Sequence, residues 1–381
     1  MIQSIEIKNF KSIKSKFFAL RNLNVLVGLN GMGKSSFVQS LLVLKQPYEL
    51  AQDMRLKLNN ENYVKLGTTK DVLYQYSKNE DLSFDLQFSD GQNLNLEFQY
   101  KIESDYFILK NQLKDQIYAL EKTESLFNTN FQYLNANRME PRSIMGKSYS
   151  TVVYSKNLGN QGEYTTHYLE VFSNDEVIFD NLLHKDSWIE DSVTGEKIVN
   201  KTLINQVNLW MGEISPNVNI RTTSISSDNV LLEYVFKQKN FGYTNRYKPE
   251  NVGFGITYSL PVVVALLKAK AGDLIIIENP ESHIHPRGQA ELGKLIALVA
   301  QNDVQVIIET HSDHILNGIR VAVKEDNIDR KKVIAFYFKK IITETEQYSK
   351  ITDIKIDKNG TLSDYPENLL DEWSNQLSKL I

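Results

Sequence analysis

The sequence predicts an α/β fold in which a mixed sheet is flanked by helices. The first observation is an apolar strand at residues 24–27, followed by a glycine-rich loop and an apolar helical segment at 36–44. Strand, glycine loop and helix in this order are typical of a phosphate-binding loop. The second observation is a pair of wholly apolar segments, 274–277 and 304–308, each followed by a helical pattern. Such runs are typical of strands buried in a parallel sheet.

Hydrophobic periodicity predicts the remaining elements. Residues 2–10, 82–88 and 94–98 alternate between apolar and polar side chains, which predicts strands. We also expect helices over 109–126, 256–267, 288–299, 315–323 and 367–380, and strands over 333–338 and 351–356, the last ending in an Asn359-Gly360 hairpin turn. Residues 110–245 are polar and mixed, which indicates an insertion. No heptad pattern persists, so a long coiled-coil arm is not expected.

The composition is that of a globular protein able to bury a sizeable core. Of 381 residues, 41% are hydrophobic and 24% charged, with a formal net charge of −4. The absence of a basic surplus disfavours tight, standalone DNA binding. The absence of cysteine excludes disulfides, a cysteine-ligated zinc site and a thiol nucleophile. Because neither an apolar leader nor a bilayer-spanning run is found, we expect a cytoplasmic protein without a membrane segment.

The glycine-rich loop, Gly-Leu-Asn-Gly-Met-Gly-Lys-Ser at residues 28–35, matches G-x-x-x-x-G-K-S without a gap. Glycines allow backbone N–H groups to turn inward around phosphates, and the N-terminus of the next helix adds its positive end. In this motif the lysine neutralises phosphate charge and the serine hydroxyl is a ligand of Mg²⁺. We therefore expect nucleotide phosphates to contact Asn30, Gly31, Gly33, Lys34, Ser35 and Ser36.

An acidic residue ends the first of the two apolar strands. Glu278 follows residues 274–277 directly, and Asn279, Pro280 and Glu281 come next. In enzymes with this phosphate-binding loop, an acid at the end of such a strand holds Mg²⁺. We therefore expect Glu278 to be a metal ligand together with Ser35.

The second apolar strand ends in Glu309, Thr310, His311 and Ser312. Ligands bind at the carboxyl ends of strands in such sheets, so His311 is a candidate for contact with a terminal phosphate. A helix cap formed by Ser312 or Asp313 is the alternative explanation of this cluster. A zinc or two-metal hydrolase is a further alternative, because four of the six histidines fall in two short motifs, at His283, His285, His311 and His314.

Together these segments resemble the ABC ATPases, within the branch of the overcoming-lysogenisation (OLD), RecF and SMC-like proteins. The resemblance is greatest to the AAA-labelled prokaryotic ATPases that end in a small C-terminal domain of unknown function. It rests on residues 5–12, the loop at 28–35, and the segments 133–142, 251–261, 278–289 and 309–317. It is weakest between 145 and 245. The resemblance implies an ABC-ATPase head that binds ATP and Mg²⁺.

The resemblance also implies roles for individual residues. Gly253 and Gly255 lie in a segment similar to the signature motif, which contacts the γ-phosphate held by a second subunit and implies a homodimer or higher homo-oligomer. His311 resembles the switch histidine. ABC ATPases usually have a glutamate after the acid of the apolar strand, where this chain has Asn279. An amide cannot accept the proton of an attacking water, so Glu281 or Glu278 itself is the expected base.

The predicted organisation has four parts. Residues 1–110 form an N-terminal lobe with the loop, 111–245 a partly helical α+β insertion, 246–325 a C-terminal lobe with the other motifs, and 326–381 a small C-terminal extension. A Toprim nuclease is not expected, because about 64 residues follow Asn317 and Asp353 and Asp357 have the wrong spacing for its acidic pair.

Three functions remain open at this point. The first is an ATPase whose ATP-driven closure controls a separately encoded effector, a nuclease or toxin, by analogy with antiphage systems of the Septu and PARIS types. The second is a RecF-like repair or maintenance protein whose dimer clamps DNA. The third is a nucleotide-binding switch with little turnover, which Asn279 permits.

Overall fold

The computed structural model describes residues 1–60, 62–191 and 193–380, apart from the side chains of residues 189 and 372–374. The chain divides into two compact units. Unit 1 contains Met1–Phe131, Ile307–His311 and the segment from residue 330 to 380, and unit 2 contains Gln132–Val306 and Ser312–Asp329. Sheets flanked by helices form both units, which confirms the predicted mixed α/β class.

The strands and helices agree with the predicted order over most of the chain. The strands are β1 Ile2–Phe10, β2 Ile13–Ala19, β3 Leu23–Val27, β4 Arg55–Lys57, β5 Asn59–Asn60, β6 Val64–Lys65, β7 Asp81–Phe88, β8 Asn93–Gln99, β9 Tyr106–Leu109, β10 Phe131–Leu134, β11 Ile144–Gly146, β12 Trp188–Glu190, β13 Lys197–Val199, β14 Val218–Ser224, β15 Asn229–Gln238, β16 Gly242–Tyr243, β17 Leu274–Glu278, β18 Gln305–Glu309, β19 Val333–Ile342 and β20 Gln347–Ile354. The helices are α1 Lys34–Leu44, α2 Thr69–Val72, α3 Lys114–Thr123, α4 Thr165–Phe172, α5 Leu203–Ile214, α6 Phe254–Leu267, α7 Pro286–Gln301, α8 Asp313–Lys324 and α9 Glu372–Ser378.

Unit 1 contains two sheets. One is ordered β2-β1-β7-β8-β9-β4 and is antiparallel at each neighbouring pair. In the other, the end of β18 is followed by β3, β19 and β20, with β3 parallel to β19 and β19 antiparallel to β20. A buried aromatic cluster of Phe18, Phe37, Phe336 and Phe338 forms part of the core. This core holds β3 and α1, the two elements that flank the glycine-rich loop.

Unit 2 contains helix α6 and strand β17, which carry the signature-like segment and Glu278. Strand β17 lies between β10 and the beginning of β18, and a separate antiparallel sheet is ordered β11-β15-β14. Helix α6 is buried along most of its length, which fits the wholly apolar sequence after Ser259. Helix α7 begins at Pro286, a favoured first helical residue because its missing N–H would have no partner there.

Two predicted helices are shorter than the periodicity suggested. The helix expected over 109–126 covers only Lys114–Thr123, because Leu109 pairs with Phe98 as the last residue of β9. The helix expected over 367–380 covers Glu372–Ser378, since Asn368 and Leu370 both have φ of 66° and cannot continue a right-handed helix. The predicted Asn359-Gly360 turn forms, but it closes a single bridge between Ile356 and Leu362.

The longest helix in the part of the chain that the structure describes, α7, has 16 residues. No coiled-coil arm is present among these residues. Within the same residues, no helix combines the length and the hydrophobicity that crossing a bilayer requires.

Candidate functional site

The glycine-rich loop of unit 1 connects β3 to α1 and has a backbone that only glycine adopts easily. Gly28 and Gly33 have φ of 133° and 105°. A Cβ atom on Gly28 would lie 2.4 Å from the backbone oxygen of Phe338 in β19. Asn30, Gly31 and Ser35 are exposed, so the outer face of the loop is accessible. This curled, accessible backbone fits the phosphate cradle that the motif predicts.

The lysine of the motif lies inside the loop. Lys34 is 3% exposed, and its Nζ donates hydrogen bonds to the backbone oxygens of Gly28 at 2.7 Å and Leu29 at 2.9 Å. An ammonium held at the centre of a glycine loop is positioned to meet an anion that enters the loop. Two residues after Lys34, the N–H of Ser36 donates to the Gly33 backbone oxygen at 3.1 Å in the first turn of α1.

A serine from β20 supports the loop from the other end of the sequence. The Ser349 hydroxyl donates to the backbone oxygen of Met32 at 2.7 Å and lies 2.8 Å from the Ser12 hydroxyl. The Ser12 hydroxyl also lies 3.3 Å from that of Ser36. No sequence pattern predicts this contact, because residues 12 and 349 meet only through the tertiary structure.

The end of β18 contributes two side chains beside the loop in unit 1. The Ser35 hydroxyl donates to Oε1 of Glu309 at 3.0 Å. Burial lowers the pKa of His311 from its ordinary value, the Lys34 ammonium lowers it further, and a hydrogen bond with the Gly28 backbone opposes this. His311 is therefore placed at the loop, as the motif suggested. The sequence motif includes Glu309 but predicts no role for it.

In unit 2, Glu278 ends β17 and is held by two hydrogen bonds. Tyr133 Oη donates to Oε1 at 3.0 Å, and the N–H of Ala136 donates to Oε2 at 3.1 Å. Burial raises the pKa of the Glu278 carboxyl, and these hydrogen bonds together with the Arg138 cation partly oppose that rise. The predicted acid is thus a partly desolvated carboxylate with fixed donors.

Arg138 fixes the turn that follows Glu278. Its guanidinium is buried and donates to the backbone oxygens of Asn135 at 3.1 Å, Glu278 at 2.8 Å and Asn279. Asn279 has φ of 45°, a left-handed conformation that asparagine tolerates. Burial lowers the pKa of Arg138 to about 10, so the side chain remains a cation at neutral pH. The guanidinium therefore binds carbonyl oxygens of the chain.

The signature-like segment begins helix α6 of unit 2. Gly253 is its N-cap and is exposed together with Phe254. A Cβ atom on Gly255 would lie 2.3 Å from the backbone oxygen of His283, so this helix start packs directly on the turn that contains Glu281. The Phe254 ring contacts the His283 ring at a centroid distance of 5.8 Å. The segment therefore presents an exposed helix N-terminus.

The remaining histidines of the two motifs occur at helix starts. His285 caps α7, its Nδ1 accepting the N–H of Arg287 at 3.3 Å. Ser312 caps α8 by accepting the N–H groups of His314 and Ile315, both at 3.1 Å, as one of the two sequence-based explanations proposed. Among residues 1–60, 62–191 and 193–380, no three His, Asp or Glu side chains are grouped as a metal site.

Gln46 follows the helix after the glycine-rich loop. It is 3% exposed, and its side-chain amide bonds the backbone of Lys57, accepting at 3.0 Å and donating at 2.9 Å. These bonds give Gln46 a structural role in joining the end of α1 to β4.

Comparison with known proteins identifies the family and the fold. A profile described as AAA ATPase domain matches residues 1–316, and one described as protein of unknown function (DUF3696) matches residues 328–380. No curated protein matches the chain.

Among solved structures, the Smc head bound to the C-winged helix domain of ScpA is 13% identical, with a TM-score of 0.51, and the match covers 92% of this chain and 98% of that one. The Smc head domain with an extended coiled coil, bound to the C-terminal domain of ScpA derived from Pyrococcus furiosus, is also 13% identical, with a TM-score of 0.51 and coverage of 100% and 99%. The fold is therefore that of an Smc head. The profile of the AAA ATPase domain matches more than half of the chain, so the chain belongs to the AAA ATPase domain family.

Proposed function

We propose that this protein binds ATP at residues 28–35 and hydrolyses it to ADP and phosphate. The observation that carries the proposal is the geometry of Lys34, whose buried Nζ is held by two loop carbonyl oxygens. An ammonium in this position can exchange those oxygens for phosphate oxygens without a change in its side-chain position. Gly31, Gly33 and Asn30 supply the surrounding backbone, and Ser36 continues it into the helix.

Glu278, Glu281 and His311 carry the hydrolytic chemistry in this proposal. Burial raises the pKa of Glu278, the direction that makes a carboxylate a better base. Asn279 cannot act as the base, so Glu278 or Glu281 accepts the proton of the attacking water. His311 binds the terminal phosphate. Ser35 and Glu278 are the expected ligands of Mg²⁺, and the ion, when bound, neutralises phosphate charge.

A second copy of the chain completes the site in this proposal. Gly253, which is exposed, and Gly255, which is partly exposed, lie at the start of α6, where the N–H groups of a helix N-terminus and the helix dipole favour a negative ligand. The γ-phosphate bound by one protomer is that ligand for its partner. ATP then favours the closed dimer because it binds that state more tightly than the separated protomers.

The dimer controls a separately encoded effector, a nuclease or toxin, in the cytoplasm of a prokaryote that defends itself against phage. This part of the proposal rests on analogy with related stand-alone ATPases. The Smc heads that share the fold are bound to ScpA domains, and a corresponding partner of this chain would receive the ATP-dependent closure.

Phosphate release and oligomeric state test the proposal together. Lys34→Ala should abolish phosphate release and ATP-dependent dimers, whereas Lys65→Ala, an exposed lysine outside the loop, should change neither. Glu278→Gln and Glu281→Gln separate the two candidate bases, and the base variant should trap ATP-bound dimers in light scattering. Normal turnover in Lys34→Ala, or in both glutamate variants, would contradict the assigned chemistry.

A nucleotide-binding switch with little turnover is the second candidate, and Asn279 is the observation that favours it. Stable ATP occupancy without phosphate release by the unaltered protein would establish the switch in place of the ATPase. Salt-dependent binding of duplex DNA by the ATP-bound dimer would favour the clamp of RecF type instead, because phosphate contacts lose affinity as salt rises.

A further inference from the structure

Two glutamates end the neighbouring apolar strands, but the hydroxyl of the loop serine contacts Glu309. Ser35 Oγ lies 3.0 Å from Oε1 of Glu309, and both residues belong to unit 1. Glu278 belongs to unit 2, where each of its carboxylate oxygens accepts a hydrogen bond, from Tyr133 and from Ala136. Glu309 is therefore an acid beside Ser35 that the sequence pattern did not single out.

The spacing of the Ser35 and Glu309 oxygens matches that of adjacent ligands of Mg²⁺. Magnesium requires octahedral geometry with oxygen ligands at about 2.0–2.1 Å, so neighbouring ligands are about 2.9 Å apart. The observed separation of 3.0 Å needs almost no rearrangement. A hydroxyl with one carboxylate is also the protein ligand set used with phosphate-binding loops, where phosphate and water complete the shell.

The sheet explains how Glu309 reaches the loop. Strand β18 lies beside β3, and the N–H of Thr310 donates to the backbone oxygen of Leu26 at 3.1 Å. Val27 is the last residue of β3, so the ends of the two strands meet where the glycine loop begins. Glu309 is 7% exposed, and glutamate is among the residues least often buried. Burial restricts the Glu309 side chain, so the position of its carboxylate does not depend on a flexible surface rotamer.

We propose that Glu309 binds the divalent cation of the nucleotide site together with Ser35. This inference rests on the proposed function, because it assigns a ligand within that same site. This adds Glu309 to the ligands Ser35 and Glu278 proposed above and leaves the proposed role of Glu278 as an acid or base unchanged. The sequence Glu309-Thr310-His311 then places a metal ligand and a phosphate ligand two residues apart on one strand end.

Cation binding can be measured separately from hydrolysis. Mn²⁺, which also prefers oxygen ligands, is titrated into the full-length protein with ATP, and bound Mn²⁺ is counted by electron paramagnetic resonance. Glu309→Gln should weaken Mn²⁺ binding at least about tenfold, because loss of even an outer partner of a metal ligand costs about 10–100-fold. A fluorescent ATP analogue in EDTA should bind this variant as tightly as the unaltered protein, which also shows that the loop is folded.

Matched variants distinguish the possible outcomes. Glu97→Gln removes an exposed strand glutamate in β8 and should leave Mn²⁺ affinity unchanged. Glu309→Asp keeps the charge and should lose less affinity than Glu309→Gln, and it serves as the test if the glutamine variant does not fold. Equal Mn²⁺ affinity in the Glu309 and Glu97 variants would overturn the inference without affecting the ATPase proposal. Unchanged nucleotide binding by Lys34→Ala would instead contradict the nucleotide site itself.

Discussion

Replacement of Gly28 by alanine tests the close approach of the loop to β19. The new Cβ would lie 2.4 Å from the Phe338 backbone oxygen, well inside van der Waals contact. The neighbouring residues Val27 and Tyr337 are paired in parallel strands, so relief of the clash requires β19 to move away from β3. No side-chain rotation can accommodate the added carbon, because the atom it meets belongs to the backbone.

The expected loss of stability has two parts. A non-glycine residue at the φ of 133° found for Gly28 costs about 1–3 kcal/mol in backbone strain, and overpacking adds about 1–3 kcal/mol. Gly31 is the matched control, since it has φ of 74° and an added Cβ would meet nothing within 4 Å. Gly31→Ala should therefore cost only about 1–2 kcal/mol. Both variants reduce the freedom of the unfolded chain equally, so this effect cancels in the comparison.

Urea denaturation without nucleotide, followed by far-ultraviolet circular dichroism, measures the difference. Gly28→Ala should be less stable than Gly31→Ala by about 2–3 kcal/mol, the overpacking contribution together with the greater strain. The slope of the free energy of unfolding against urea concentration should be the same in both variants, provided that unfolding exposes the same surface area in each. Equal stability of the two variants would refute the close approach of Gly28 to Phe338 as the cause.

Two further predictions concern buried cations. Arg138→Met should lower the free energy of unfolding by about 3 kcal/mol, because three backbone oxygens lose their donor. Arg142→Met, which changes an exposed residue, is the control and should alter the free energy of unfolding little. Equal effects of the two variants in urea denaturation would contradict the role given to Arg138. Lys45 should titrate near pH 8, because burial lowers its pKa to about 8. NMR of ¹³C-methylated lysines measures this titration, and the variant Lys45→Arg identifies the signal of Lys45. The unfolded chain keeps that proton up to about pH 10.4, so the free energy of unfolding should rise as the pH rises from about 8 to about 10.4. The burial of Lys45 would be refuted if the NMR spectra contained no lysine signal that titrates near pH 8.

The sequence allowed the core elements to be predicted because their patterns are strong and local. The strand before the loop, the apolar strands of residues 274–277 and 304–308, and the helices after them all formed close to their expected bounds. Errors occurred where local preference was overridden. Leu109 has a helical pattern around it but pairs in β9, and the backbone at Asn368 and Leu370 delays the start of α9.

The candidate site could be predicted only in part for a similar reason. The motif at residues 28–35 specified its own backbone and the position of Lys34. The partners of Arg138, in contrast, could not be predicted, because its three acceptors are backbone carbonyl oxygens, which no sequence pattern identifies. The support of Met32 by Ser349 connects positions more than 300 residues apart, and neither residue has a composition signal.

By itself, the sequence determined that this protein has a phosphate-binding loop, because glycine, lysine and serine at fixed spacing impose both the backbone and the charge on a few adjacent residues. Only the tertiary structure showed that the carboxylate of Glu309 lies beside that loop. Glu278 and Glu309 each end an apolar strand and are equivalent in sequence pattern. Within unit 1 the end of β18 lies beside β3, which brings Glu309 within hydrogen-bond distance of Ser35.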